Sequence, residues 1–242
     1  MRARPAALAA ILLGAAPGAA GAVVGGREET GPLAGQTVMV LGSQGGVCTG
    51  VVVARDAVLT AAHCVAAAES RVHYRGDDGA PVLLQPRARA VHPGYDRGAI
   101  QGRRRSVDLA LVRLAEPLPA RFATAALQAA PPRAGRSVTL GGYGVARPGD
   151  ARSTGTFRTA TLPVVEPHGP SRILVWLKGA GAGACTGDSG GPILDEAGVA
   201  AIATWATGAG GCGAISQGVL VGPQRDWIDR TLSGWGTGTE WR

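Results

Sequence analysis

Lysine is almost missing from this chain: Lys178 is the only one in 242 residues. The formal charge of +7 therefore comes from arginine. Aromatic residues make up only 4%, and none is interleaved with the arginines as base-stacking would require. Nucleic-acid binding is accordingly not expected, and the basicity reads as a solubility feature. The four cysteines include no CxxC pair, which argues against a zinc site; no metal and no cofactor is expected. No long apolar run follows residue 22, so no membrane-spanning helix is expected there. Glycine, by contrast, is abundant at 39 residues, which favours short strands joined by tight turns over long helices.

Residues 1–22 read as a secretory signal. Arg2 and Arg4 supply a positive start, Ala6 to Ala16 a short apolar stretch around Ile11-Leu12-Leu13, and Ala20-Gly21-Ala22 the small residues read by a signal peptidase. Gly14 and Pro17 break the stretch, which is too short to serve as a membrane anchor. Cleavage is expected after Ala22, with Ala20 as the competing position. Export to a periplasm or the extracellular space follows, and it suits disulfide formation. Four cysteines allow three pairings.

The remaining chain reads as short β-branched or apolar runs separated by Gly, Pro and charged clusters. The first series is Val38 to Leu41, Val47 to Val53, Val58 to Thr60, Val82 to Leu84 and Leu109 to Leu114. A Pro/Ala-rich stretch, Glu116 to Arg133, divides the chain. The second series is Ser137 to Leu140, Thr154 to Leu162, Ile173 to Leu177, Pro192 to Leu194, Val199 to Trp205 and Gly218 to Val221. Helical spacing appears only in Gln224 to Leu232, with Trp227, Ile228 and Leu232 on one side. The pattern supports an all-β domain, sandwich or barrel. The Gly-rich Ser233 to Arg242 reads as a frayed tail.

Three local contexts carry chemistry. They are Thr60-Ala61-Ala62-His63-Cys64, Asp108-Leu109-Ala110-Leu111 and Gly187-Asp188-Ser189-Gly190-Gly191-Pro192. A lone Ser in a Gly-rich turn is usually a turn residue, and His73, His92 and His168 read as structural. His, Asp and Ser in this order, with cysteines beside two of them, resemble the trypsin/chymotrypsin-like serine proteases, as a bacterial-type secreted member. The resemblance covers residues 23–232 and implies two antiparallel six-stranded β-barrels, about 23–120 and 121–223, with a C-terminal helix over 224–232. It implies Ser189 as nucleophile, His63 as general base then acid, and Asp108 as the group that orients His63. The N–H groups of Gly187 and Ser189 would form the oxyanion hole. It pairs Cys48 with Cys64 and Cys185 with Cys212, each cross-link contributing roughly 3 kcal/mol. Val23-Val24-Gly25-Gly26 resembles the activated N-terminus, whose α-ammonium would pair with Asp188. Signal peptidase itself would then release the active end. Gly142-Tyr143-Gly144 stands where Trp is usual between the glycines, and Thr204 where Ser usually bonds the triad Asp.

The implied specificity pocket is Gly183, Thr204, Trp205, Ala206 and Gly218. It holds no acid to pair with a buried guanidinium, so cleavage after small-to-medium apolar residues, and not after Arg or Lys, is expected. A tryptic enzyme would also cut at Arg103-Arg104-Arg105. Expected partners are polypeptide substrates and protein inhibitors, with the protein a monomer. Accessory esterase activity and a catalytically dead binding module are the competing functions. A quality-control protease is disfavoured by the lack of an added peptide-binding region. Asp77 and Asp78, in Arg75 to Ala80, are weak candidates for a calcium loop.

Overall fold

The computed structural model describes residues 23–242 except 68, 100 and 103. The segment expected to be a secretory signal, residues 1–22, therefore lies outside the described residues. Fourteen strands and one α-helix follow: β1 (Arg27–Glu28), β2 (Thr37–Gly42), β3 (Val47–Ala54), β4 (Ala57–Thr60), β5 (Ser70–Arg75), β6 (Pro81–Leu84), β7 (Pro86–Val91), β8 (Ala110–Leu114), β9 (Ser137–Gly142), β10 (Arg158–Val165), β11 (Leu174–Lys178), β12 (Pro192–Asp195), β13 (Gly198–Ala209), β14 (Cys212–Leu220) and α1 (Arg225–Gly234). All strand pairs are antiparallel, in two sheets.

Both sheets close. In the first, β6 pairs with β5 while β7, one residue on, pairs with β8. The two halves act as one bent strand interrupted at Gln85, and the ring β2-β3-β4-β8-β7/β6-β5 is six-stranded. In the second, β9 pairs with both β10 and β12, closing the six strands β9 to β14, with β1 added at β10. Closure leaves few free edges, the usual liability of antiparallel sheets.

Each barrel has its own core. Val38, Val40, Val52, Val58, Val72, Ala110 and Val112 fill the first. Val138, Leu140, Leu162, Val175, Leu177 and Ile193 fill the second, joined by Val23. A third cluster lies between the barrels and α1, with Val51, Val53, Leu59, Leu109, Leu111, Leu127, Val199, Ile202, Ile228 and Leu232. Strands β3 and β8 thus bury both faces, one in the barrel and one at the junction. That explains the apolar runs Val51-Val52-Val53 and Ala110-Leu111-Val112, since neither face needs polar residues there. Each fully buried Leu or Val contributes roughly 1.5–3 kcal/mol.

Three sequence expectations are revised. Strands β5 and β7 were not visible as apolar runs; β7 alternates Arg and exposed Val with half-buried Pro and Ala. Strand β10 starts at Arg158 rather than Thr154, because Ala151–Ser153 form a 3-10 turn capped by Asp150 and the chain bends at Gly155. The tail is docked, not frayed. Leu127 N–H donates to Glu240 (2.8 Å), Ala129 N–H to Arg242 (3.0 Å) and Arg242 N–H back to Leu127 (2.8 Å). The Trp241 indole donates to Asp229 of α1 at 2.8 Å and lies under the Arg225 guanidinium. Trp235 and Trp241 both pack on the junction cluster.

Candidate active site

His63 lies in a short 3-10 turn, Ala62–Cys64, directly after β4. Asp108 lies two residues before β8, and β4 pairs with β8 through Thr60 and Ala110. That register brings the two residues together. Both carboxylate oxygens of Asp108 are engaged: Oδ1 accepts the His63 backbone N–H at 2.9 Å, and Oδ2 lies 2.6 Å from His63 Nδ1. The carboxylate therefore fixes a proton on Nδ1 and leaves Nε2 free to accept one. The Cys48–Cys64 disulfide anchors this turn to β3.

Ser189 lies on the loop between β11 and β12, in the second barrel. Thr49 of β3, fully buried, joins this loop to the first barrel. Its N–H donates to the Ser189 carbonyl at 2.7 Å, and its hydroxyl to the Gly187 carbonyl at 2.9 Å. The Ser189 carbonyl also touches Cys64 Sγ at 3.9 Å. A ring nitrogen of His63 lies within 4.8 Å of both sulfurs of the same disulfide. Ser189 and His63 thus flank one cross-link from opposite barrels. Gly190 must be glycine, because a Cβ there would stand 1.9 Å from the Thr49 carbonyl.

The peptide planes around Ser189 are set by their carbonyls. Thr186 O accepts from Val145 N–H at 2.8 Å, and Asp188 O accepts from Gly191 N–H at 2.9 Å. The peptides are trans, so the N–H groups of Gly187 and Ser189 point the opposite way. Among the described residues neither N–H has a protein acceptor. Two free donors beside one hydroxyl are what a developing oxyanion needs.

Asp188 is fully buried. Its carboxylate accepts from Gly144 N–H (2.8 Å) and Cys185 N–H (2.9 Å). The Gly142-Tyr143-Gly144 segment wraps it so closely that a Cβ at Gly142 or Gly144 would stand 2.2 or 2.6 Å from Asp188 Oδ1. Burial raises the Asp188 pKa from 3.8 to about 7, opposed by these two N–H groups and by the Arg158 charge. The Val23 side chain is buried beside Ala184 and Leu140, and Gly183 N–H donates to the Val24 carbonyl at 2.9 Å. Val23 forms no ion pair with Asp188, since its nitrogen is in a peptide bond. Val23 is the one described non-glycine residue with positive φ, at 50°, a costly conformation for a β-branched side chain.

One pocket residue is corrected. Gly218 does not line the pocket: a Cβ there would meet Ile193 at 2.5 Å and the Ile202 carbonyl at 2.9 Å, in the barrel interior. Ser216, two residues earlier in β14, faces Gly183 instead. A Cβ on Gly183 would lie 2.9 Å from Ser216 Oγ and 3.3 Å from the Gly213 backbone. Ser216 Oγ accepts from Ala184 N–H at 2.8 Å. Thr204 also differs from expectation: its hydroxyl reaches the Gln217 carbonyl at 3.5 Å and makes no bond to Asp108. Trp205 is exposed and Ala206 half-buried.

Beside His63 runs a groove of about 430 Å³, lined by Tyr95, Ala99, Arg104, Leu174, Trp205 and Gln217 among others. The Tyr95 pKa is raised by burial and then by the Asp108 charge. Arg104, expected in a solvated basic loop, pairs with Asp96 at 2.7 Å and borders this groove; Arg103 lies outside the described residues. A larger groove of about 920 Å³, over Pro131, Arg136, Thr161 and Asp195, contains none of these site residues. Cys48, His63 and Cys64 cluster tightly, but both sulfurs are consumed by the disulfide and offer no thiolate. Asp77 pairs with Arg121, and Asp78 accepts from Ala80 N–H at 2.9 Å, so both acids have protein partners. His73 meets the Val82 carbonyl, while His92 and His168 pack on Trp227 and Trp176. The second disulfide, Cys185–Cys212, ties the Ser189 loop to the β13–β14 hairpin, with Val24 and Val145 packed on it.

Comparison with known proteins agrees. The family model described as Trypsin matches residues 23–228. Trypsin iota of Drosophila melanogaster is 27% identical over 206 residues, covering 77% of this chain and 79% of that protein. The venom plasminogen activator Haly-PA of Gloydius brevicauda is 25% identical over 235 residues, covering 88% of each. Among solved structures, neuropsin, a serine protease expressed in the limbic system of mouse brain, superposes with a TM-score of 0.73 at 22% identity, covering 86% of this chain and 98% of that one. These relatives come from animals, so the bacterial-type expectation is not borne out.

Proposed function

The chain belongs to the trypsin family of serine endopeptidases, and we propose that His63, Asp108 and Ser189 are its catalytic triad. The observation that carries this is the Asp108–His63 pair at 2.6 Å, flanking the same disulfide as Ser189. Ser189 Oγ attacks the scissile carbonyl carbon while His63 Nε2 takes its proton. The tetrahedral oxyanion accepts from the Gly187 and Ser189 N–H groups. The C–N bond breaks as His63 returns that proton to the leaving amine. Water, deprotonated by His63, then attacks the acyl-enzyme, and the acid leaves as Ser189 regains its proton.

The substrate side chain enters between Gly183, Ser216 and Ala206. Ser216 offers a hydroxyl and no charge, so a buried guanidinium or ammonium would stay unpaired there. Small-to-medium apolar residues are the preferred class. The mature enzyme is exported and starts at Val23, whose ammonium pairs with Asp188. The enzyme acts as a monomer on polypeptides and is open to protein inhibitors.

The test is profiling of a mixed peptide library, with fluorophosphonate labelling, on protein starting at Val23 and on Ser189→Ala. Labelling and cleavage after apolar residues, both lost in the variant, are expected. Cleavage after Arg would overturn the pocket reading alone. A folded protein with free Val23 that is never labelled would overturn the triad reading. N-terminal sequencing of exported protein that reads Gly21 would remove direct release by signal peptidase.

A further inference from the structure

The two barrels share a second cavity, of about 610 Å³, which has no residue in common with the groove beside His63. Met39 of β2 and Tyr74 of β5 reach it from the first barrel, and Tyr143 and Phe157, between β9 and β10, from the second. With Phe122 the lining holds four of the chain's five Tyr and Phe residues. The larger 920 Å³ groove has no aromatic ring in its lining. Tyr74 pairs with Phe122 and Tyr143 with Phe157, each with ring centroids 5.1 Å apart. Walls of this kind take a further aromatic ring, edge-on or offset. Charge does not select the ligand, because Glu28 and Glu29 are matched in the lining by Arg75 and Arg121. The Arg121 guanidinium already lies over Tyr74 and Phe122 and pairs with Asp77, so the cation position at that end is filled. Among the described residues no guanidinium covers Tyr143 or Phe157.

The Tyr143 end of this cavity is tied to the Ser189 turn. Gly142 and Gly144, on either side of Tyr143, enclose Asp188. The Tyr143 N–H donates to Thr49 Oγ1 at 3.0 Å, and that hydroxyl donates to the Gly187 carbonyl at 2.9 Å. The Tyr143 phenol donates to the Thr37 carbonyl at 3.3 Å, which fixes the ring on the first barrel. A molecule seated against Tyr143 therefore stands two hydrogen bonds from Gly187. We propose that this cavity is an effector site for a planar, uncharged aromatic molecule of indole size, and that filling it favours the ordered Ser189 turn. The proposal rests on the reading of the Gly187 and Ser189 N–H groups as oxyanion donors. An effector acts only through unequal affinity for two states. Here the inequality comes from one peptide segment: Tyr143 takes its place in the wall through the residues that enclose Asp188. A loosened turn loses that wall, and the ligand loses its contacts.

The experiment uses indole itself and the chain beginning at Val23. Binding is measured by calorimetry on Ser189→Ala, which needs no catalysis, and a Kd of about 1 mM or tighter is expected. The rate of fluorophosphonate labelling of the wild type is then followed with rising indole, and an increase of about fivefold at saturation is expected. Protein already labelled at Ser189 should bind indole more tightly than unlabelled protein, because effector coupling is reciprocal. Two variants fill the cavity from different walls. Thr156→Trp and Ala34→Trp each replace a small, half-buried lining residue. Both should lose indole binding and the rate response, with melting curves showing which of them is folded. No calorimetric binding to folded Ser189→Ala overturns the proposal. So does binding that survives unchanged in a folded filled variant, or binding that leaves the labelling rate unmoved. Competitive slowing of peptide cleavage that persists in a folded filled variant places indole in the substrate groove and also overturns it. A folded wild type that never labels, with or without indole, overturns the triad reading instead, and calorimetry still decides whether the cavity binds.

Discussion

Two acids serve this site in opposite ways. Asp108, in the first barrel, is partly exposed, and its two oxygens bond the side chain and backbone of one histidine. Asp188, in the second barrel, is fully buried, has only N–H partners, and carries a pKa raised to about 7. The first pair is complete in the intact chain. The second lacks a counter-charge. In the proposed enzyme the base is therefore always ready, and control falls on the turn that presents Ser189 and the oxyanion donors.

The sharpest contrast comes from the triad itself. Ser189→Ala is expected to lower kcat by about a million-fold, and Asp108→Asn by about ten-thousand-fold with the fold intact, measured by single-turnover kinetics and circular dichroism. Substitutions at the pocket base come next. Ser216→Asp should turn the preference toward Arg and Lys, because its carboxylate would face Gly183. Gly183→Asp should do so less well, because φ there is +153° and its Cβ would press on Ser216 Oγ at 2.9 Å. Cleavage-site profiling distinguishes the two. Thr49→Val links the halves: it leaves the Gly187 carbonyl and the Tyr143 N–H without their partner. A loss of about 1–3 kcal/mol in stability is expected from urea melts, with kcat falling more than KM changes.

The Asp188 contrast is read through pH. Its pKa is higher folded (about 7) than the ordinary 3.8, so the folded state binds the proton more tightly. The stability this contributes is full below about 3.8 and is lost as pH rises through about 7. Melting temperature of the chain with Val23 blocked should fall across that window, and Asp188→Asn should flatten the fall. The smallest effect on activity belongs to Trp241→Ala. It removes a contact with Asp229 and the junction cluster. A stability loss of about 2 kcal/mol is expected, with cleavage specificity unchanged.

Strands β3 and β8 were readable because they are buried on both faces, so that Val51-Val52-Val53 and Ala110-Leu111-Val112 run apolar. Strands β5 and β7 were not, since Ser70-Arg71-Val72-His73 and Pro86-Arg87-Ala88-Arg89 carry polar or small residues on the face that meets water. The disulfide pairing followed from family resemblance and agrees with the structure. One residue expected to line the pocket beside Gly183 was placed two positions too late, at Gly218, where Ser216 faces Gly183. Ser216 and Gly218 share one face of β14, and strand periodicity does not say how deep in the barrel each one sits. Thr49 gave no signal at all, because a threonine in a strand has no local mark of what it will face.

The sequence by itself determined what short windows hold: the serine between glycines, the histidine beside its cysteine, the acid before a strand. Backbone conformation and covalent neighbours act within a few residues, so these units carry their meaning locally. Tertiary structure alone decided which carboxylate is buried without a charge, which hydroxyl ends the pocket, and which threonine joins the barrels. Those depend on strands distant in sequence closing into barrels, where desolvation and register set what each side chain meets.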